Sequence, residues 1–248
     1  MSRLARWAWA AAAVGLWELL SQSGVISPWA APPPSRLSAA LWSLLASGEL
    51  ASNTGLTLAR TFLAFAAGSV AGFTTGMAAG FFRPARELLG PVLGGLYSMP
   101  KMALLPMALV LFGIGEGSRS VPAVIACFAI TALHGLDAVA SVRIEFIELA
   151  RSCGARGWTL VRAVMIPGCL PALFTGLRLA LGMALVMVIS VEMVGQPSGL
   201  GGMIWIAGQS LAIEKLFIGV LLAAGLGAAL LEGIRWFEAR CAPWSQAE

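Results

Sequence analysis

The side chains best suited to chemistry are few in this chain: one histidine, His134, one aspartate, Asp137, four cysteines and two lysines, Lys101 and Lys215. No Gly-x-Ser-x-Gly, His-Glu-x-x-His or pair of aspartates is present, which argues against hydrolytic and metal-assisted catalysis. Cys127, Cys153, Cys169 and Cys241 form no Cys-x-x-Cys and do not pair with His134 at metal-ligand spacing, so they read as reduced, structural residues. A phosphate-cradling loop needs Gly-x-x-x-x-Gly-Lys-Ser/Thr, and neither Lys101, between Pro100 and Met102, nor Lys215, between Glu214 and Leu216, can supply its lysine. What remains is a handful of ionisable groups in apolar text, Lys101, Arg178 and Glu192, and one polar loop around Glu148 and Arg151. Ionisable residues within spans are functional candidates by default. Each also has a structural reading: Arg178 snorkelling to an interface, Glu192 hydrogen-bonded near the outer end of its helix, His134 as a packing residue. Lys101 can draw an anion, with a purely structural role as its other and preferred reading.

The surrounding text says what holds these groups. Of 248 residues, 58% are hydrophobic and 11% charged, against about 25% charged in an average soluble domain. About 20 mostly apolar residues cross a hydrocarbon core, and six segments qualify: 7–24, 56–82, 88–112, 120–140, 170–194 and 216–237. Unpaired backbone is excluded from lipid and nothing alternates at the barrel period, so an all-α polytopic membrane protein is expected. One set of segment ends carries ten basic residues (Arg3, Arg6, Arg83, Arg86, Arg143, Arg151, Arg156, Arg162, Arg235, Arg240) and the other three (Arg36, Arg119, Lys215). The positive-inside rule then puts both termini in the cytoplasm. No basic run points to nucleic acid. Arg3 and Arg6 before an apolar run also fit a signal peptide, but Glu18 interrupts that run and residues 27–34 make a poor cleavage site, so an uncleaved first helix is expected.

Prolines punctuate the chain. Pro28, Pro32, Pro33 and Pro34 predict a non-helical external linker over 27–36. Pro91, Pro100 and Pro106, with Gly94 and Gly95, predict a kinked or broken third span, which serves either a water-lined path or plain packing irregularity. The expected organisation is an N-terminal helix and linker (1–54), a core (55–240) with its polar loop at about 142–168, and a cytoplasmic tail (241–248).

That loop, the longest on the cytoplasmic side, holds Arg143, Arg151, Arg156 and Arg162. Two short helices divided at Gly154 are predicted, because glycine permits the left-handed turn that ends the first. At helical spacing Ile144, Ile147, Glu148 and Arg151 share one side. Composition leaves two partners open: a protein groove or lipid headgroups.

The spacing Glu148-Leu149-Ala150, three residues, Gly154, nine residues, Val164-Met165-Ile166-Pro167 resembles the EAA signature of ABC importer permeases, with Leu149, Val164 and Ile166 as apolar replacements. Pro100-Lys101-Met102-Ala103-Leu104-Leu105-Pro106, Phe112-Gly113-Ile114-Gly115-Glu116, Phe174-Thr175-Gly176-Leu177-Arg178, and Glu192-Met193 followed by Gly199-Leu200-Gly201 resemble the sulfonate, taurine and nitrate branch; Leu111 departs from its usual tryptophan. The resemblance implies a permease of the bacterial inner membrane, not itself an enzyme. Its partners would be a second permease copy, a cytoplasmic ATPase dimer holding ATP and Mg, an extracytoplasmic solute-binding protein and the lipid bilayer. It implies ATPase coupling through Glu148, Ala150, Arg151, Gly154 and Pro167. It also suggests a path or gate for a small anionic solute at Pro100, Lys101, Pro106, Arg178, Glu192, Gly199 and Gly201. The segment from Gly199 through Trp205 reads either as a re-entrant gate or as an interfacial helix. Two other classes compete. Ala150-Arg151-Ser152 and Ala155-Arg156-Gly157 look like the triplets of energy-coupling-factor transmembrane components, but stand in one loop rather than on separate helices. An ion-driven secondary transporter would use Glu192 and Arg178 as relays, yet no inverted repeat is visible.

Overall fold

The computed structural model describes residues 3–27, 29–113, 115–195 and 198–246; Pro28 of the linker, Ile114 of the Phe112–Glu116 phrase and the last two residues of the tail lie outside the described residues. Those residues are helical throughout, joined by short turns, with no strand among them. Contacts divide the chain into two compact units, Met1–Thr57 with Glu192–Gly225, and Leu58–Val191 with Leu226–Glu248.

In the first unit, α1 (Arg3–Gln22) is followed by α2 (Pro34–Ala46). The linker expected over 27–36 is therefore shorter than its prolines suggested, and Arg36 is helical. Pro34 stands at the first helical position, where its missing N–H is not needed and its fixed φ suits the helix. The Glu18 carboxylate accepts from the Ser35 N–H at 3.0 Å and the Ser35 hydroxyl at 2.6 Å, filling an orphan donor of α2's first turn. Ser21 donates to the Ala31 carbonyl at 2.8 Å, tying α1 to the linker. The charge that interrupted the first apolar run thus has a structural use. The same unit holds the start of α3 (Glu49–Phe81), α10 (Gly199–Gln209) and the first part of α11 (Ile213–Cys241), with Lys215 paired to Glu49.

The second unit is built round α6 (Glu116–Ser141), whose most apolar stretch is 56% buried by the chain itself. Ala123, Ala126, Cys127, Ala129, Thr131 and Ala132 are wholly enclosed. Small residues there let backbones approach, the usual basis of helix packing in lipid. Gly68, Gly72, Gly76 and Gly80, one per turn of α3, face it so closely that a Cβ at Gly76 would lie 2.0 Å from the Ala132 carbonyl oxygen. The equivalent stretch of α11 is only 11% buried. An apolar helix left uncovered by its own chain is suited to lipid or to another subunit.

Among the described residues, four helices are long and apolar enough to cross a membrane: α3, α6, the continuous helix Gly157–Val194 and α11. The pair α4 (Arg83–Ser98) and the segment Lys101–Phe112, bent by 82°, passes the same test when taken together, as a broken span or a re-entrant loop. The break falls at Pro100, in the span whose prolines predicted it. The first expected span, 7–24, corresponds to α1, which carries Arg3, Arg6 and Glu18 in 20 residues and is not among the helices that meet this length and composition test.

Candidate functional site

The polar loop resolves into α7 (Ile144–Ser152), a turn, and α8 (Gly157–Leu160) running into α9 (Ile166–Gly195) through a π turn, Val161–Met165. No residue of α7 is buried. Ile144, Phe146 and Leu149 present apolar surface outward, Leu149 at 64% exposure; Glu148 and Arg151 are also exposed and Ala150 half-buried. Glu145 in the first turn and Arg151 in the last complement the helix dipole. Arg143, 3.4 Å from Glu145, lies over the Phe146 ring at 5.5 Å.

Gly154 takes φ +86°. The Gly154 N–H donates to the Arg151 carbonyl at 2.9 Å and the Ala155 N–H reaches back to Ala150 at 2.9 Å. These two bonds, with a left-handed residue between, are a Schellman stop, and they cut α7 to a nine-residue projection. Pro167 does not end the loop as a break in helix; it sits in the first turn of α9, inside the continuous run from Gly157. The π turn before it, with the Ile166 N–H on the Val161 carbonyl, widens the helix where a proline ring would otherwise crowd the carbonyl four residues back.

The path candidates fall in separate places. Pro100 and Lys101 form the break between α4 and α5 (Leu104–Phe112), Pro100 being extended with ψ 92°. The Lys101 ammonium donates to the Tyr97 carbonyl, capping the end of α4, and lies 5.2 Å from the Tyr97 ring centroid. Pro106 is exposed in α5's first turn, where proline costs no hydrogen bond. Arg178 on α9 is ion-paired with Glu238 on α11; its Nε is buried with no hydrogen-bond partner. His134 bonds the Ile130 carbonyl at 2.9 Å and packs on Gly176, the packing role expected of it.

Glu192, Gly199 and Gly201 do come together. The Glu192 carboxylate is 2% exposed and accepts from the Thr57 hydroxyl, at 2.8 Å to one oxygen, and from the Gly201 N–H at 3.0 Å. The Leu200 N–H donates to Thr57 Oγ1 at 2.9 Å, and the Gly199 N–H to Asn53 Oδ1 at 2.8 Å. Three successive amides at the start of α10 are thus each met by a side chain, and the helix dipole favours the carboxylate there. Gly199 has φ +88°, and a Cβ on it would stand 2.2 Å from Glu192 Oε1. Stripping a buried donor or acceptor of its partner costs about 1–3 kcal/mol, more for a charged group. The clasp is accordingly a strong local constraint. The start of α10 is firmly held, with Leu200, Gly201, Gly202 and Met203 buried, while Trp205 and Ile206 on its other side stay 48% and 43% exposed.

Sequence reasoning singled out Glu192 but not Asn53 or Thr57, polar residues that carry no motif. It also missed Arg60, which clasps Glu116 bidentately at 2.7 and 2.8 Å, with Arg119 at 3.9 Å. The four-residue spacing of Gly68, Gly72, Gly76 and Gly80 was a readable signal of close packing.

Comparison with known proteins bears on what this arrangement serves. Residues 64–241 match the family described as binding-protein-dependent transport system inner membrane component. The chain is 31% identical to the taurine transport system permease protein TauC of Escherichia coli (strain K12) over 234 residues, covering 92% of this chain and 85% of that one. It is 27% identical over 231 residues to the aliphatic sulfonates transport permease protein SsuC of Bacillus subtilis (strain 168), a function given there as putative, covering 93% and 84%. A crystal structure of an amino acid ABC transporter with histidines superposes with a TM-score of 0.64 at 20% identity, covering 81% of this chain and 97% of that chain, which shows a shared fold.

Proposed function

The chain belongs to the family of binding-protein-dependent transport system inner membrane components, and from that premise we propose that it couples solute import to a separate ATPase through α7. It is an all-helical, multi-pass membrane permease of the ABC importer class. The finer reading rests on one observation: a nine-residue helix with no buried residue, apolar on its outer surface, cut short by a glycine-dependent stop. A projection of that size is suited to a protein groove, where its exposed Ile144, Phe146 and Leu149 would be covered. The sequence carries no nucleotide-binding loop, and in this reading ATP and its Mg are held and hydrolysed by a partner chain.

In this reading two copies of the permease carry one such knob each, both termini are cytoplasmic, and an external binding protein delivers the solute. ATP-driven approach of the two ATPases pulls the α7 helices together, and the spans rock between inward and outward access. The taurine and aliphatic sulfonate permeases among the relatives support a small organic anion as solute. Lys101, beside the break at Pro100, is the candidate to meet that anion; Arg178, already ion-paired with Glu238, is better fitted to hold α9 against α11.

The test is co-purification of the tagged chain from mild-detergent extracts of its native host's membranes. An ATPase subunit should accompany the native chain and be lost with Glu148→Lys. Solute transport by a permease that never binds an ATPase would refute the proposal.

A further inference from the structure

The first three amides of α10 have three different acceptors, Asn53 Oδ1, Thr57 Oγ1 and a Glu192 carboxylate oxygen, on the start of α3 and the end of α9. Thr57 works in both directions, accepting from Leu200 and donating to Glu192. It is wholly buried. One side of the rest of α10 is held as well: Ala207 is 1% exposed, with Trp205 and Ile206 on the open side, and a Cβ at Gly219 of α11 would come within 2.6 Å of Ile204. Segments that move independently are drawn from the weakly held end of a structure, with few buried contacts and exposed hydrogen bonds. This segment has the opposite character. Swinging it out would strip a buried carboxylate of its donors and orphan three amides where water is scarce.

We propose that Asn53, Thr57 and Glu192 are positioning residues that keep α10 fastened to the adjoining ends of α3 and α9 through the whole transport cycle, so that α10 travels as part of a rigid piece and is not a gate that opens by itself. The proposal rests on the importer reading above for the existence of that cycle. It separates Glu192 from the solute: the carboxylate is engaged by the fold and is not a solute ligand.

The test uses the assembled permease and ATPase in proteoliposomes, with Cys153→Ser and Cys241→Ser removing the exposed native thiols. A single cysteine is placed at Ala207, and in a second variant at Leu200, both on the buried side of α10. A membrane-impermeant maleimide is applied without nucleotide, during ATP hydrolysis, and with ATP plus vanadate. The cysteine should stay unlabelled in all three conditions. Adding Thr57→Val should raise its labelling rate by about tenfold or more, and Thr57→Ser, which keeps the hydroxyl, should restore protection. Labelling in any nucleotide state with Thr57 intact overturns the proposal, as does equal protection in the Val and Ser variants. If no ATPase assembles, the importer reading fails on its own, while the nucleotide-free comparison of Val with Ser still decides whether the clasp holds α10.

Discussion

The Thr57 hydroxyl donates to the Glu192 carboxylate at 2.8 Å across 135 positions of sequence. This bond ties the start of one helix to the end of another, and the amides of a third close over it. Glu192→Ala removes the acceptor of the Gly201 N–H and of Thr57 together, at an expected cost of about 3 kcal/mol. A thermal melt of the detergent-solubilised protein should show a drop of several degrees. Glu192→Gln, which keeps one acceptor, should lie between native and alanine.

The close approach of α3 to α6 gives a sharper contrast. Gly76→Ala pushes a methyl to within 2.0 Å of a backbone carbonyl and should cost about 3 kcal/mol. Gly55→Ala, on the same helix with nothing within 4 Å of its new Cβ, should be neutral or stabilise by up to about 1 kcal/mol. The same melts measure both. Equal effects at the two positions would show that α3 and α6 are further apart than described.

Much of this was legible. Hydrophobic run length located the four helices and the bent pair that meet the crossing test, though not α1 as one of them, and Pro100 located the break, because proline and apolar periodicity act locally. Gly154 was legible for the same reason: a left-handed turn needs glycine whatever surrounds it. The clasp was not. Asn53 and Thr57 look like ordinary polar residues in an apolar helix until α10 folds over them, and their α10 partners are 146 and 143 positions away, respectively. The second of the two short helices expected in the polar loop does not stand apart: α8 runs on through the π turn at Val161–Met165 into α9, a continuity that no local residue type announces.

Leu211 is the one non-glycine with positive φ among the described residues, at 56°. It occupies the left-handed position of the stop after α10, with the Ala212 N–H on the Ala207 carbonyl at 2.9 Å. Glycine is the residue such a stop favours. Leu211→Gly should therefore stabilise the chain by about 0.5–1 kcal/mol after the added freedom of the unfolded glycine is subtracted. A raised melting temperature checks it, and a lowered one would mean that the exposed leucine is held by contacts worth more than the strain.

Gly154 separates folding from coupling. A Cβ there meets nothing within 4 Å, so Gly154→Val strains only the turn at φ +86°, by about 1–2 kcal/mol. The protein should reach the membrane in normal amounts and melt within a few degrees of native, yet retain much less ATPase on co-purification. Loss of the folded protein itself would place the role of Gly154 in stability.

The central claim is that α7 touches an ATPase, and the chain carries its own reporter: Cys153, exposed at the C-terminal cap of α7. A thiol-specific photo-crosslinker attached there, with Cys241→Ser removing the other exposed thiol, should yield on illumination a covalent adduct between permease and ATPase that Gly154→Val diminishes. An ATPase that co-purifies with the permease but gives no adduct from Cys153, while cross-linking from other exposed sites, would contradict the account.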